Sequence, residues 1–296
     1  MKISCHKIVV ALVMVSLVSC ETEIPIDLPA PTTYVVVDGI IENGQYARVA
    51  VTKSSPYFDT ISLSTLSAIF INDAVVVLSD GTNTDTLQLT IDATQFPPIF
   101  YKSNNPALIG QEWKKYDLTV YALGDTLTSS TTIPGAVPID SLGWQQFGTN
   151  DSLGIGLIYF KEPDTLGNYY YLLCKKQGWQ YFVSVDGQDL SNDYVVNGQY
   201  ISFTFLKPQQ YPNWFNTASS STTQDPDPEF FRRGDTIYAK LCSIDRTSFN
   251  FLRTYEDAAY SFGNPFSAPA FVQTNINGGL GGFVGYGVSY SQYIVP

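Results

Sequence analysis

In residues 46–54, YARVAVTKS, the small apolar residues Ala47, Val49 and Val51 alternate with Tyr46, Arg48, Ala50 and Thr52. A period of two marks a half-buried β-strand, because successive side chains point to opposite faces of a sheet. The stretch TYVVVDGII (33–41) precedes it, with Glu42-Asn43-Gly44-Gln45 as the turn between. AVVVLSDGTNTDTLQLT (74–90) reads as a hairpin around Asp80-Gly81, and YDLTVYALGDTLTSSTTI (116–133) as another around Gly124-Asp125. Short strands separated by turn signals predict an immunoglobulin-like β-sandwich over residues 34–134. PGAVPIDSL (134–142), with two prolines and a glycine, then marks a domain boundary.

Strand patterns resume in GIGLIYF (154–160), NYYYLLCKK (168–176), GWQYFVSVDG (178–187), QYISFTFL (199–206) and DTIYAKLCSI (235–244). Residues 135–296 are therefore expected to form a second β-rich domain, sandwich- or barrel-like, carrying one helix over 245–262. Asp245 caps that helix, Gly263 and Pro265 stop it, and Leu252, Tyr255, Ala259 and Phe262 share its apolar face. The helix is expected to pack over a sheet face or to plug a sandwich end. NINGGLGGFVGYGVSY (275–290) has six glycines but lacks the lysine and Ser/Thr of a phosphate loop. It reads as a strand that another backbone crosses closely.

The N-terminus carries a different signal. Lys2 and Lys7 form a short basic start, and the apolar run Ile8 to Val18 is broken only by Ser16. That run is too short to span a bilayer as a helix, which takes about 20 residues, and matches a secretory signal over residues 1–19. Leu17-Val18-Ser19-Cys20 resembles a bacterial lipobox, so Cys20 is expected to take the lipid, with residues 20–33 as a proline-containing tether. Removing residues 1–19 takes Lys2, Lys7 and no acid, which moves the formal charge from −11 to −13. It also takes His6, the only histidine. Histidine-based nucleophile systems, His-ligated zinc and imidazole general bases would then be excluded. No basic cluster offers itself to nucleic acid. The aromatic content, 14%, against 15% charged residues fits a folded exported β protein.

Cys174 and Cys242 lie in strand-like runs and would either pair or remain buried thiols. Asp225, Asp227 and Glu229 in DPDPEFF read as a solvated acidic loop, since no complete calcium loop surrounds them. Tyr211, Trp214 and Phe215 sit in the long non-periodic segment from Lys207 to Arg233, where they either contact a partner or ligand or seal a sandwich edge. Glu162, Asp164, Asp186 and Asp189 fall in turns, and nothing selects a catalytic pair from them. No catalytic residue, metal ligand or cofactor is expected.

The lipobox, the acidic tether, YVVVDGIIENG, VPIDSL, EPDTLGNYYYLL, GDTIYAKL and NPFSAPAFVQTNINGGLGGFVGYG follow one another in an order that resembles a family of Bacteroidetes surface lipoproteins built on a domain of unknown function. The resemblance covers nearly the whole mature chain. It implies a lipoprotein anchored in the outer membrane, whose genes often accompany TonB-dependent receptors of the SusC type. Glu21 and Glu23, close behind Cys20, resemble the acidic signals that send such lipoproteins to the cell exterior. The expected role is a non-enzymatic accessory or ligand-capturing partner of a TonB-dependent receptor or another outer-membrane protein. The small-molecule ligand, if any, is not legible. The alternatives are a structural or assembly lipoprotein that scaffolds other outer-membrane proteins, and a histidine-free carboxylate hydrolase.

Overall fold

The computed structural model describes residues 32–55, 67–185, 190–208, 227–261 and 271–296. The alternating stretch at residues 46–54 becomes β2 (Arg48–Lys53), paired antiparallel to β1 (Val35–Glu42) through the Gly44 turn. Val35, Val37 and Ile41 of β1 and Val49 and Val51 of β2 point into one core. Opposite them lies a four-stranded antiparallel sheet in the order β4 (Thr84–Thr86), β3 (Val75–Ser79), β7 (Lys115–Ala122), β8 (Asp125–Thr132). Its Val76, Leu78, Leu118, Val120 and Leu127 fill the same core. The β7–β8 turn is one residue earlier than the sequence suggests. Leu123 and Gly124, both at positive φ, form it, and Asp125 already begins β8. A two-residue hairpin turn of this hand needs positive φ at both positions.

A second small sheet is built on β10 (Leu153–Lys161), flanked by β9 (Ser141–Gln146), β14 (Tyr200–Phe205) and β15 (Phe231–Arg232). Ile158, Phe160, Phe205 and Phe231 pack from it onto Leu172 and Cys174 of β11 (Tyr169–Lys176) and Ile237, Ala239 and Leu241 of β16 (Thr236–Ile244). Both small sheets therefore lean on one large, nine-stranded sheet. Its path runs β12 (Val183–Ser184), β11, β16, β17 (Leu280–Ile294), β1, β2, β6 (Ile99–Lys102), β5 (Gln88–Ile91), with β13 (Leu190–Asn192) pairing β11. The fold is mainly β, as expected, and among the described residues no barrel closes.

The two cores divide at Pro134: one ends at Ile133 before regaining Ile276 and Phe283, and the other begins at Val137. The backbone does not divide there. Residues Thr33–Pro296 form one compact unit, because β17 pairs parallel with β1 and antiparallel with β16. Its glycines permit this. A Cβ on Gly281, which sits at positive φ, would overlap the Val37 carbonyl oxygen, and one on Gly287 would overlap that of Pro134. The glycine-rich tail is thus the closely crossed strand that its pattern predicts.

Helix α1 (Arg246–Ser261) covers the other face of the large sheet. Asp245 caps it as expected, its Oδ1 accepting the Ser248 amide at 2.7 Å. The buried stripe differs from the one read in sequence. Phe249 and Leu252 are buried, whereas Tyr255 and Ala259 are exposed, and Phe262 lies outside the described residues. Packing sets the roll: Phe249 meets the Tyr169 ring at 4.8 Å, and Phe251 lies over Gly282, which has no side chain to oppose it. A second departure lies in the described residues 178–185 of the predicted strand 178–187, where only Val183–Ser184 is strand. Gly178 turns at positive φ, and Gln180 and Tyr181 direct their side chains to a distant loop.

Candidate functional site

The chain between β10 and β11 is pinned by two carboxylates. Glu162, fully buried, follows β10; its Oε1 accepts from Asn168 Nδ2 at 2.8 Å and from the Tyr170 hydroxyl at 2.9 Å. Its Oε2 accepts the Gly198 amide at 2.8 Å. Asp193, also buried, accepts the amides of Gly167 and Asn168 on Oδ2 at 2.7 and 3.0 Å. Asn197 Nδ2 donates to Asp164 Oδ1 at 3.1 Å, and the Lys161 ammonium donates to the Gly198 carbonyl. Buried carboxylates are tolerated only when donors replace their water, and here amides and a phenol do so. Burial, then the Glu162 hydrogen bond and charge, raise the Tyr170 hydroxyl well above its usual range, so it remains a donor. The product is two interlocked loops, 162–168 and 193–199, that carry Leu166, Tyr194 and Val195 outward at 77%, 79% and 85% exposure.

A second cluster lies on the α1 face of the large sheet, beyond the helix. Side chains of β17 on this face are buried as far as Val288 and open at Tyr290. There the Lys240 ammonium meets Glu42 Oε1 at 2.6 Å, and the Tyr290 hydroxyl donates to Glu42 Oε2 at 3.2 Å. Lys240 also lies 5.5–5.9 Å from the ring centres of Tyr286, Phe182 and Tyr290. Burial, first, and the Glu42 charge hold the Tyr290 hydroxyl protonated. On the same face of β1, solvent reaches Asp38, yet enough protein surrounds it that desolvation raises its carboxyl against the pull of Arg48. Tyr181 and Gln180 reach across this side to the carbonyls of Ala93 and Gln95.

The family model that matches residues 21–292 is described as a domain of unknown function, DUF4249. The chain belongs to the DUF4249 family. No curated protein matches its sequence.

In this DUF4249 chain Cys20, Glu21 and Glu23 lie outside the described residues, and so do Tyr211, Trp214, Phe215, Asp186 and Asp189. Toward the end of that long segment, Phe231 is core and packs on Phe205, while Phe230 stacks on Phe147 at 4.7 Å. Asp227 approaches Arg232 at 3.4 Å. Of the acids read as turn residues, Glu162 and Asp164 come together in the pinned loops, where both serve the scaffold. Cys174 and Cys242 are free, buried thiols. Among the described residues no three metal-ligating side chains converge, and no helix is long and apolar enough to cross a membrane. Sequence reasoning missed Asn168, Asp193 and the Glu42–Lys240 pair. For Lys240 a signal existed: a lysine between Ala239 and Leu241, the one charged residue of its strand. Its partner lies 198 positions away.

Proposed function

We propose that this DUF4249 chain is a lipoprotein anchored through Cys20 at the outer face of the outer membrane, and that it works by binding, not turnover. Its role is that of an accessory or ligand-capturing partner of a TonB-dependent receptor. The observation that supports this reading is the pair of pinned loops. Leu166, Tyr194 and Val195 are displayed to solvent on backbone fixed by Glu162 and Asp193. Exposed apolar side chains on rigid loops bind with little ordering cost, which favours a partner surface over a simple cover. The acids available for hydrolysis at this position are already occupied as acceptors, so the loops offer no acid–base pair.

The test is co-purification of the tagged full-length lipoprotein from its native membranes, compared with a Leu166→Asp, Val195→Asp double variant. Wild type should bring down a TonB-dependent receptor, and the variant should lose it while keeping its melting temperature. Retention of the receptor by a stable variant would place the contact elsewhere. Absence of any outer-membrane protein in the wild-type sample would end the proposal.

A further inference from the structure

Loops 92–98 and 177–182 follow strands at opposite ends of the eight-strand path, β5 and β11–β12. In a flat sheet those ends would stand about 34 Å apart, seven spacings of ~4.8 Å. Instead the loops touch. Gln180 Nε2 donates to the Ala93 carbonyl at 2.9 Å, and the Tyr181 hydroxyl lies 3.2 and 3.3 Å from the carbonyls of Ala93 and Gln95. The Phe96 and Tyr181 rings meet at 6.1 Å. The large sheet is therefore strongly coiled, and its two ends are stitched across its own face.

The two sides of the stitch differ in rigidity. Loop 92–98 is a closed turn: Asp92 accepts the Thr94 amide and hydroxyl, the Asp92 amide bonds the Pro98 carbonyl, and Arg48 donates to the Gln95 side chain. Segment 177–182 is held at its start, where the Gln177 amide donates to the Thr236 carbonyl at 2.9 Å, Thr236 Oγ1 donates to Gln177 Oε1 at 3.1 Å and the Trp179 amide donates to the Lys176 carbonyl at 3.0 Å, but has less holding it beyond Trp179. It returns into β12, which pairs β11 at only two positions, Leu173↔Ser184 and Cys174↔Val183. Across the stitch it makes side-chain-to-carbonyl bonds that are exposed or half-buried. Beneath it Phe182 lies 5.9 Å from the Tyr290 ring and 5.9 Å from Lys240 Nζ, and thus roofs the Glu42–Lys240 pair.

We infer that segment 177–182 is a strap, latched by Gln180 and Tyr181, that opens and closes over the Glu42–Lys240 pair while the sheet beneath stays folded. Opening lifts Phe182 and presents a carboxylate and an ammonium beside the Tyr238 ring and the already exposed Tyr290 ring on one sheet face. Local openings draw on regions held by few, exposed hydrogen bonds, and the strap from Gln180 onward is such a region, hinged on the bonded residues 177–179. It stands apart from the loops at 162–168 and 193–199 and does not depend on their role.

Two measurements on the full chain test this. In the wild-type protein, amides of 178–184 should exchange with deuterium well ahead of those of β16 and β17. Acylation of Lys240, read by peptide mass mapping against the exposed Lys115, should rise in a Gln180→Ala, Tyr181→Phe variant. A rise of about tenfold or more is the expected effect of deleting these weak hydrogen bonds, with the melting temperature little changed. The inference is overturned if strap and β16 amides exchange together, or if Lys240 labelling in the variant follows only the loss of global stability.

Discussion

Asp80 shows how much a single turn residue can carry. Its Oδ1 accepts the amides of Thr82 and Asn83 at 2.9 and 2.6 Å, and Lys114 approaches Oδ2 at 2.5 Å. The Asn83 amide first, then the Lys114 ammonium, hold this carboxyl far below the usual carboxylate range. A carboxyl lowered on folding stabilises the native state fully above its unfolded value, about 4, and loses that contribution as pH falls below it. Asp80→Asn should therefore melt earlier than wild type at pH 7 and lose less on going to pH 3. Parallel melting-temperature curves for the two proteins would rule Asp80 out as the group responsible. The Asp80-Gly81 turn was legible, because Asp and Gly suit those backbone positions. Lys114 was not, since its approach depends on where β7 begins.

At the scale of the element, parity decides the chemistry of the two thiols. In the β11–β16 ladder Cys174 stands opposite Ala239 and faces the small sheet, while Cys242 stands opposite Tyr171 and faces α1. Side chains on opposite faces of a sheet cannot bridge, whatever the redox conditions. Burial pushes the Cys242 thiol up to about 12, with Glu42 adding to the rise and Lys240 opposing it, and burial also raises Cys174. Both should resist alkylation in the native protein at pH 8 and react once it is unfolded in guanidinium. A cross-linked Cys174–Cys242 peptide from non-reduced protein would contradict the register. The same scale explains the helix. Its existence and Asp245 cap were written in local sequence, but its roll was set by Tyr169 and Gly282, which no helical period can register.

Across the described residues, the two cores that divide at Pro134 and a third cluster under α1 share one sheet, and the Glu42–Lys240 pair ties β1 in the first half to β16 in the second. Both partners are buried, at 8% and 7% exposure, so removing one leaves the other charge uncompensated. Lys240→Ala should destabilise the chain by about 3 kcal/mol, whereas Lys240→Met with Glu42→Gln should cost clearly less. Denaturant unfolding followed by circular dichroism and by tyrosine fluorescence checks both. The two probes should also coincide in a single transition, because β17 belongs to the sheet beneath both cores. Separate transitions, or a double variant as unstable as the single, would show that the halves are not coupled through this pair.

By itself the sequence determined the mainly β character, most of the strands, the turns at Gly44 and Asp80-Gly81, the capped helix that starts after Asp245 and the structural use of the glycine-rich tail. All of these rest on period, turn chemistry or steric need within a few neighbouring residues. Only the tertiary structure decided that the second half continues the first half's sheet, because the β1–β17 pairing joins residues about 245 positions apart. It alone placed Lys240 beside Glu42, locked Glu162 and Asp193 into one pair of loops, and brought Tyr181 to Ala93 across a coiled sheet. Along a strand, local pattern specifies which side chains share a face. Which distant strand it meets depends on the packing free energy of the whole chain, and no window of sequence contains that.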